Sequence, residues 1–424
     1  MAFKPRKRLL LWLLIIIVFL TLAGLLTAHF LRRSAPAEIR FASSFPGSAT
    51  PGYTHSGSEE IERLSTRTST LLLTGRGWLR SLRIEGPQTG QPAEPALVLD
   101  AMDHMAAARV ALESADLIKL QTELSRIRNT FVNQEGLVAA EALIESTGSA
   151  DRSEGFANAP TLAWLRLLAE SYQLTDSPEL LQELRITSDN FLARTGPDGL
   201  LPADTQLILY QQPPPRDPEV TPTPKPTQEP TPTIESIRQV IQIADIDLYT
   251  MQLLQPLDER WQLVLNRNRT VLEAATLAGT IPLFQYAYDP AIADYIGFTG
   301  TQPLVETEAV LRALLHIYEA GAQLPQTLTY LRNRFYESSV LPEQIDRVTG
   351  AASESECITG YALLARIARI TTDAALYERA ATRLLWHTAT NTRSEAYGAV
   401  FRTDPDNRIR VTARDNLLAL LALN

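Results

Sequence analysis

From about Pro95 to the C-terminus, apolar residues recur at spacings of three and four, the period of helices with one buried face. The pattern predicts helix after helix. "ALVLDAMDHMAAARVALESADLIKLQTELSRIRNTF" holds two, joined near Ser114. "SEGFANAPTLAWLRLLAESYQ" and "SPELLQELRITSDNFLART" follow. "IESIRQVIQIADIDLYTMQLLQPL" pairs with "DERWQLVLNRNRTVLEAATLAG", and "LVETEAVLRALLHIYEAG" with "LPQTLTYLRNRFYESS". "SECITGYALLARIARIT" pairs with "DAALYERAATRLLWHTAT", and "TARDNLLALLALN" closes the chain. Apolar members alternate with more amphipathic ones. An inner helix touches neighbours all round and carries little polar surface, so the alternation predicts an inner and an outer ring. The expected architecture is all-α, an α/α toroid of about twelve helices. Inner helices of such a ring run parallel, and their N-termini open on one face. Acids stand where the apolar helices begin: Glu154, Asp245 and Asp247, Glu306 and Glu308, Glu354 and Glu356, and Asp415. They are expected on that face.

The pattern breaks in three places. "QQPPPRDPEVTPTPKPTQEPTPT" cannot form a packed helix, because proline lacks an amide donor and fixes φ. It reads as an exposed Pro/Thr-rich insertion at 211–233 within one array of helices. "STLLLTGRGWLRSLRIEG" has β character and suggests a hairpin or an irregular cap. The stretch 34–60 is small, polar and Pro-containing, and reads as a flexible tether to a domain at 61–424.

The N-terminus, 1–33, differs in kind. Lys4, Arg6, Lys7 and Arg8 precede Leu9–Leu26, an uncharged apolar run. As a helix it reaches ~27 Å, close to a bilayer's hydrocarbon thickness. The basic excess comes first, so the positive-inside rule places Met1 in the cytoplasm and the later domain outside. The run through residues 9–26 is expected to be a single uncleaved anchor. It is longer than a signal-peptide core, and no clean cleavage site follows.

Composition narrows the chemistry. Net charge is −9 and no basic run lies beyond the N-terminus, which argues against nucleic acid as a partner. Cys357 is the single cysteine, so no internal disulfide forms. With five scattered histidines there is no Cys/His metal set, and neither a metal nor a cofactor is expected.

Three stretches carry a family likeness. "FVNQEGLVAAEALIESTGSADRSEG" ends in Ser-Glu-Gly, "TGPDGLLPAD" follows the next helix, and "IADIDLYTMQLLQPLDERW" places Trp261 fourteen residues after Asp247. In this order the chain resembles the family 8 glycoside hydrolases, six-hairpin (α/α)6 toroids that cut β-linked polysaccharides. The resemblance implies Glu154 as general acid and Asp245 as the residue holding the distorted sugar. It implies a general base in a Tyr-Asp stretch, here Tyr288-Asp289. Asp247, Trp261 and Tyr288 would line the substrate cleft, and Glu306 and Glu356, acids at the starts of apolar helices, are further candidates to line it. An inverting glycosidase needs a protonated acid for the leaving oxygen and a base for water on the opposite face, about 6.5–9.5 Å apart. The acid's pKa must be raised, by burial or by a neighbouring carboxylate.

Plainer roles exist for each residue. Glu154 can be a first-turn acid behind a Ser153 cap. Asp289 can start a turn before Pro290, and Glu306 and Glu356 can be caps. Cys357 reads as a small buried hydrophobe, and His316 and His387 as packing or surface residues. Phe156, Ala157 and Asn158 replace the Gln-aromatic that usually follows Ser-Glu-Gly, Ile246 replaces a small residue, and no arginine follows Asp289. Two functions fit: a membrane-anchored extracytoplasmic glycosidase, beside polysaccharide synthesis machinery, or a catalytically degenerate relative that binds glycan or an assembly partner.

Overall fold

The computed structural model describes residues 39–41, 58–73, 79, 82–85, 97–144, 150–210, 234–276, 281–298, 303–403 and 408–424. The chain divides into two compact units, Met1–Arg40 and Phe41–Asn424, and the architecture below belongs to the second. The apolar run 9–26, most of the tether and the 211–233 insertion lie outside the described residues. Among the described residues no helix is long and apolar enough to cross a membrane.

The helices are α1 (Ser58–Leu72), α2 (Ala101–Glu113), α3 (Leu117–Thr130), α4 (Asn158–Thr175), α5 (Pro178–Leu192) and α6 (Leu248–Leu253), then α7 (Arg260–Ala274), α8 (Thr307–Glu319), α9 (Pro325–Ser338), α10 (Ile358–Ile370), α11 (Ala374–Trp386) and α12 (Ala413–Leu423). The even-numbered helices form the inner ring. Each packs on the next, and α12 packs on α2 to close it. Outside, α3 packs on α2, α5 on α4, α7 on α6 and α11 on α10. α1 packs on α12, so the first and last described helices make a pair. α9 reaches the inner ring through Phe335, whose ring meets Tyr361 of α10 at 5.6 Å.

The apolar/amphipathic alternation has the expected cause. Inner α10 buries eleven of its thirteen residues. Outer α11 buries Leu376, Tyr377, Ala380, Ala381 and Leu384, a single stripe at helical spacing.

The all-α expectation is corrected at one end. Connections into the inner helices are short antiparallel strands: β1 (Leu82–Glu85), β2 (Leu97–Asp100), β3 (Glu141–Ile144), β4 (Ala150–Arg152), β5 (Thr205–Tyr210), β6 (Ile234–Gln242), β7 (Ala287–Asp289), β8 (Asp294–Ile296), β9 (Leu304–Glu306), β10 (Gln344–Asp346), β11 (Arg402–Thr403) and β12 (Ile409–Thr412). They make sheets ordered β2-β3-β4, β5-β6-β7-β8, β10-β9 and β1-β12-β11. All lie on connections that lead into the N-termini of inner helices and build a rim there. The stretch read as one helix over "IESIRQVIQIADIDLYTMQLLQPL" is three elements: β6, a 3₁₀ turn at Ile243–Asp245, and the six-residue α6. Ile237, Val240 and Ile241 are β-branched, and such residues favour the pleated strand over the helix. β5 and β6, which flank the insertion in the sequence, pair antiparallel from Thr205–Val240 to Tyr210–Ile234.

Candidate active site

The rim begins at α4. Ser153 does not cap this helix. Its Oγ donates to the Glu141 carbonyl at 3.0 Å, tying the loop back to β3. α4 starts at Asn158, behind Ala157, which offers no side-chain cap. The cap comes from another element: the Asn158 amide donates to Asp204 Oδ2 at 2.6 Å. Glu154 is thereby freed from the helix-start role. It is exposed on the loop, beside Gly155 at φ +87°, in open space.

Asp204 ends the "TGPDGLLPAD" loop, and Gly199 pins that loop to α7. Gly199 has φ +82°, and an added Cβ would stand 2.8 Å from the Leu263 carbonyl carbon. Gly199→Ala therefore meets both left-handed strain and a backbone clash. It is expected to cost about 1–3 kcal/mol in denaturant unfolding; an unchanged unfolding midpoint would contradict this packing.

Burial pushes the Asp204 carboxyl up to about 6, and the nearby Asp245 charge adds to the rise. Asp245 closes the 3₁₀ turn before α6. Its Oδ1 accepts from Arg312 Nη2 of α8 at 3.0 Å, while Arg312 Nε donates to the Ala244 carbonyl at 3.2 Å. Next to it a pocket of about 180 Å³ is lined by Gln242, Gln285, Tyr286, Glu306 and Gln344 over an apolar floor that includes Ala244 and Ala313. Burial raises the Tyr286 phenol, and the charges of Glu306 and Asp245 raise it further. Asp204, Asp245, Tyr286 and Glu306 thus converge between the N-termini of α4, α6 and α8. Glu306 is exposed at the start of α8 and lines this pocket. Asp204 was missed: its signal, an acid closing a Gly/Pro loop, is common in ordinary turns.

The structure places four other named residues elsewhere. Trp261 is fully buried on outer α7. Its Nε1 donates to Ser188 Oγ at 2.8 Å, and its ring stacks on Phe191 at 5.8 Å, so it fastens α7 to α5. Asp289 is buried, paired with Arg238 at 3.3 Å, and accepts the Ala291 amide at 2.9 Å. It shapes the β7–β8 turn, the role expected of an acid before proline. Tyr288 is buried in the same hairpin against Tyr295, ring to ring at 5.1 Å. Glu356 turns outward and binds Arg383 and His387 at α11, along with Tyr361.

Asp247 also leaves the rim. It caps α6, accepting the Thr250 amide at 3.0 Å and the Thr250 hydroxyl at 2.6 Å. Because α6 is short, its start lies deep, where Asp247 meets His316 Nδ1 at 3.3 Å. There it joins a charged network on the ring axis. Arg166 binds both oxygens of Glu319, at 2.7 and 2.9 Å, and Glu170 at 3.2 Å. Arg109 pairs with Glu113 at 2.7 Å and also with Glu170. Arg366 reaches Glu113 at 3.3 Å, and Arg166 lies over the Tyr249 ring at 4.2 Å. Four cations, counting protonated His316, face four carboxylates, so the buried cluster is neutral overall. Asp247, His316 and Glu319 each place one ligand atom within 4.8 Å of the others. Arg166 already occupies both Glu319 oxygens, so the positive charge among these acids comes from guanidinium and imidazolium.

This network sets a pH dependence. Burial alone would lower His316, but the charge and hydrogen bond of Asp247, with Glu319, raise it from 6.5 to about 9. Burial alone would raise Asp247, but His316 and Arg166 bring it from 3.8 to about 2. The His316 contribution is therefore complete below pH 6.5 and lost as pH rises through about 9. The Asp247 contribution is present above pH 3.8 and lost as pH falls through about 2. Urea midpoints are expected to fall between pH 6.5 and 9 in the wild type and to change less over that range in His316→Gln. Parallel curves would rule the pair out as the cause.

No family model and no curated protein matches this chain. Solved structures do. An α-amylase from Clostridium perfringens superposes with a TM-score of 0.68 at 16% identity, over 87% of this chain and 98% of that one. An endo-1,4-D-glucanase from Vibrio fischeri gives 0.56 at 12%, over 86% and 94%. A cold-adapted family 8 xylanase gives 0.55 at 10%, over 86% and 90%. The fold is that of the family 8 glycosyl hydrolases. At these identities the likeness is one of backbone architecture.

Proposed function

We propose that the protein is a glycoside hydrolase whose polysaccharide substrate lies across the rim. The observation that carries this reading is the convergence of Asp204, Asp245 and Glu306 between α4, α6 and α8, on a fold shared with glycanases. Glu154 is the general acid, exposed in the free protein and desolvated when a sugar chain covers the loop. Asp245, oriented by Arg312, holds the ring at the reacting carbon. Glu306 takes over the base role that Asp289 cannot fill, and activates water on the opposite face in an inverting displacement. Asp204 keeps a proton near Asp245 up to about pH 6.

The fold supports two linkage classes. The glucanase and xylanase neighbours support a β-linked substrate. The α-amylase neighbour supports an α-linked one, so α-glucans belong among the tests. The basic tip and apolar run are proposed to anchor the enzyme in the membrane with this domain outside the cytoplasm, where polysaccharide synthesis machinery would be its neighbour. Proton NMR of the first-formed sugars tests the mechanism. Inversion at the anomeric carbon is expected; retention would remove Glu306 as base. Glycan binding with no release of reducing ends would favour the degenerate binding protein.

A further inference from the structure

Outer helices run back toward the rim, so their C-terminal ends lie beside it. Between the ends of α9 and α11 is a groove of about 530 Å³, within the range of small-ligand clefts. Glu378, Arg379, Thr382, Arg383 and Trp386 lie along one face of α11, at the three-and-four spacing of a helical stripe. Tyr336 and Ser339, from the end of α9, complete the groove.

Trp386 is 69% exposed, whereas Trp164 and Trp261 are fully buried. Arg383 lies over the Trp386 ring at 5.1 Å, which leaves the other face to solvent. Both guanidiniums here are already engaged. Arg383 is held by Glu356. Arg379 donates to the Tyr336 carbonyl at 3.1 Å and to Ser339 Oγ at 2.8 Å, and lies over the Tyr336 ring at 4.8 Å. An anion would have to compete for these cations. A neutral ligand with one apolar face and hydroxyl edges would not. Its face suits the open indole, and the exposed Glu378 and Thr382 suit its hydroxyls. Glu356, just before α10, ties the groove's Arg383 to the rim itself.

We propose that this groove is a saccharide-binding site outside the catalytic rim, with Trp386 stacking on a pyranose ring, so that a polymer leaving the rim continues over the toroid's edge. The choice of ligand rests on the glycosidase reading above. The test uses the full-length protein in native affinity gels containing β-1,4-glucan, xylan or amylose, beside Trp386→Ala and Glu378→Ala. Trp386 is exposed, so its truncation leaves the core intact. Retardation by at least one polymer is expected, with apparent affinity about tenfold weaker in Trp386→Ala, the order of one lost ring contact. Hydrolysis of the matching pentasaccharide is expected to stay unchanged. Wild-type protein that releases reducing ends from no polymer, yet depends on Trp386 for retardation, would keep this site while removing the enzyme reading. Wild-type hydrolysis with equal retardation of wild type and Trp386→Ala would remove this site alone. Trp386-dependent binding to phosphatidylglycerol vesicles, without retardation by any polymer, would overturn the proposal in favour of a membrane-facing surface.

Discussion

Arg166→Met lowers the unfolding free energy by about 3–5 kcal/mol, the range for removing one partner from a buried ion pair. Arg166 binds Glu319 through two hydrogen bonds and Glu170 through a third, and all three side chains are almost wholly buried. Its loss leaves two carboxylates on the ring axis with weaker compensation from Arg109 and Arg366. The methionine retains most of the volume, so the loss reports charge more than a cavity. Arg166→Met with Glu319→Gln and Glu170→Gln should recover part of the stability, because neither carboxylate that Arg166 bound is left charged and Glu113 still holds Arg109 and Arg366. Urea unfolding of the single and triple variants measures both. A single-variant loss below about 1 kcal/mol would mean that the axial network is solvated or redundant.

Asp245→Asn lowers kcat by about a thousandfold on the true substrate, the scale for removing a charged group that acts on the reacting centre. Asp245 is held by Arg312 and lies close to Asp204. The amide nearly preserves its shape and removes its charge. With that charge gone, the Asp204 carboxyl titrates lower, since Asp245 is one of the causes raising it. A variant with unchanged kcat and raised KM would instead make Asp245 a plain binding residue.

The ring was legible in the sequence because its cause is local. Helices such as "ITGYALLARIARI" read as buried all round, and "AALYERAATRLLW" reads as one-sided. The closure of α12 on α2 and the pairing of α1 with α12 join residues hundreds of positions apart, which no local pattern reveals. The rim strands were hidden for a related reason. Three- and four-residue strands such as Ala287–Asp289 are too short for a period of two to show. The site was legible in part. Glu154, Asp245 and Glu306 lie where acids precede inner helices. Asp247 and Trp261 match a motif spacing, but α6 is short and starts deep, so the same spacing delivers a buried cap and an outer-ring anchor. The axial pairs did leave a trace. Arg109 and Glu113, and Arg166 and Glu170, stand four apart near the ends of apolar helices, an arrangement that interior helices tolerate only when the charges meet partners.

The central claim is that the rim cleaves glycosidic bonds with Glu154 as proton donor. The most direct measurement is release of reducing ends by the piece from Ser34 onward, beside Glu154→Gln, from β-1,4-glucan, mixed-linkage β-glucan, xylan, chitosan and amylose. The account predicts release from at least one polymer, lowered 10²–10⁴-fold in Glu154→Gln. Equal release by the two proteins would contradict it, and so would glycan retention without release from any polymer.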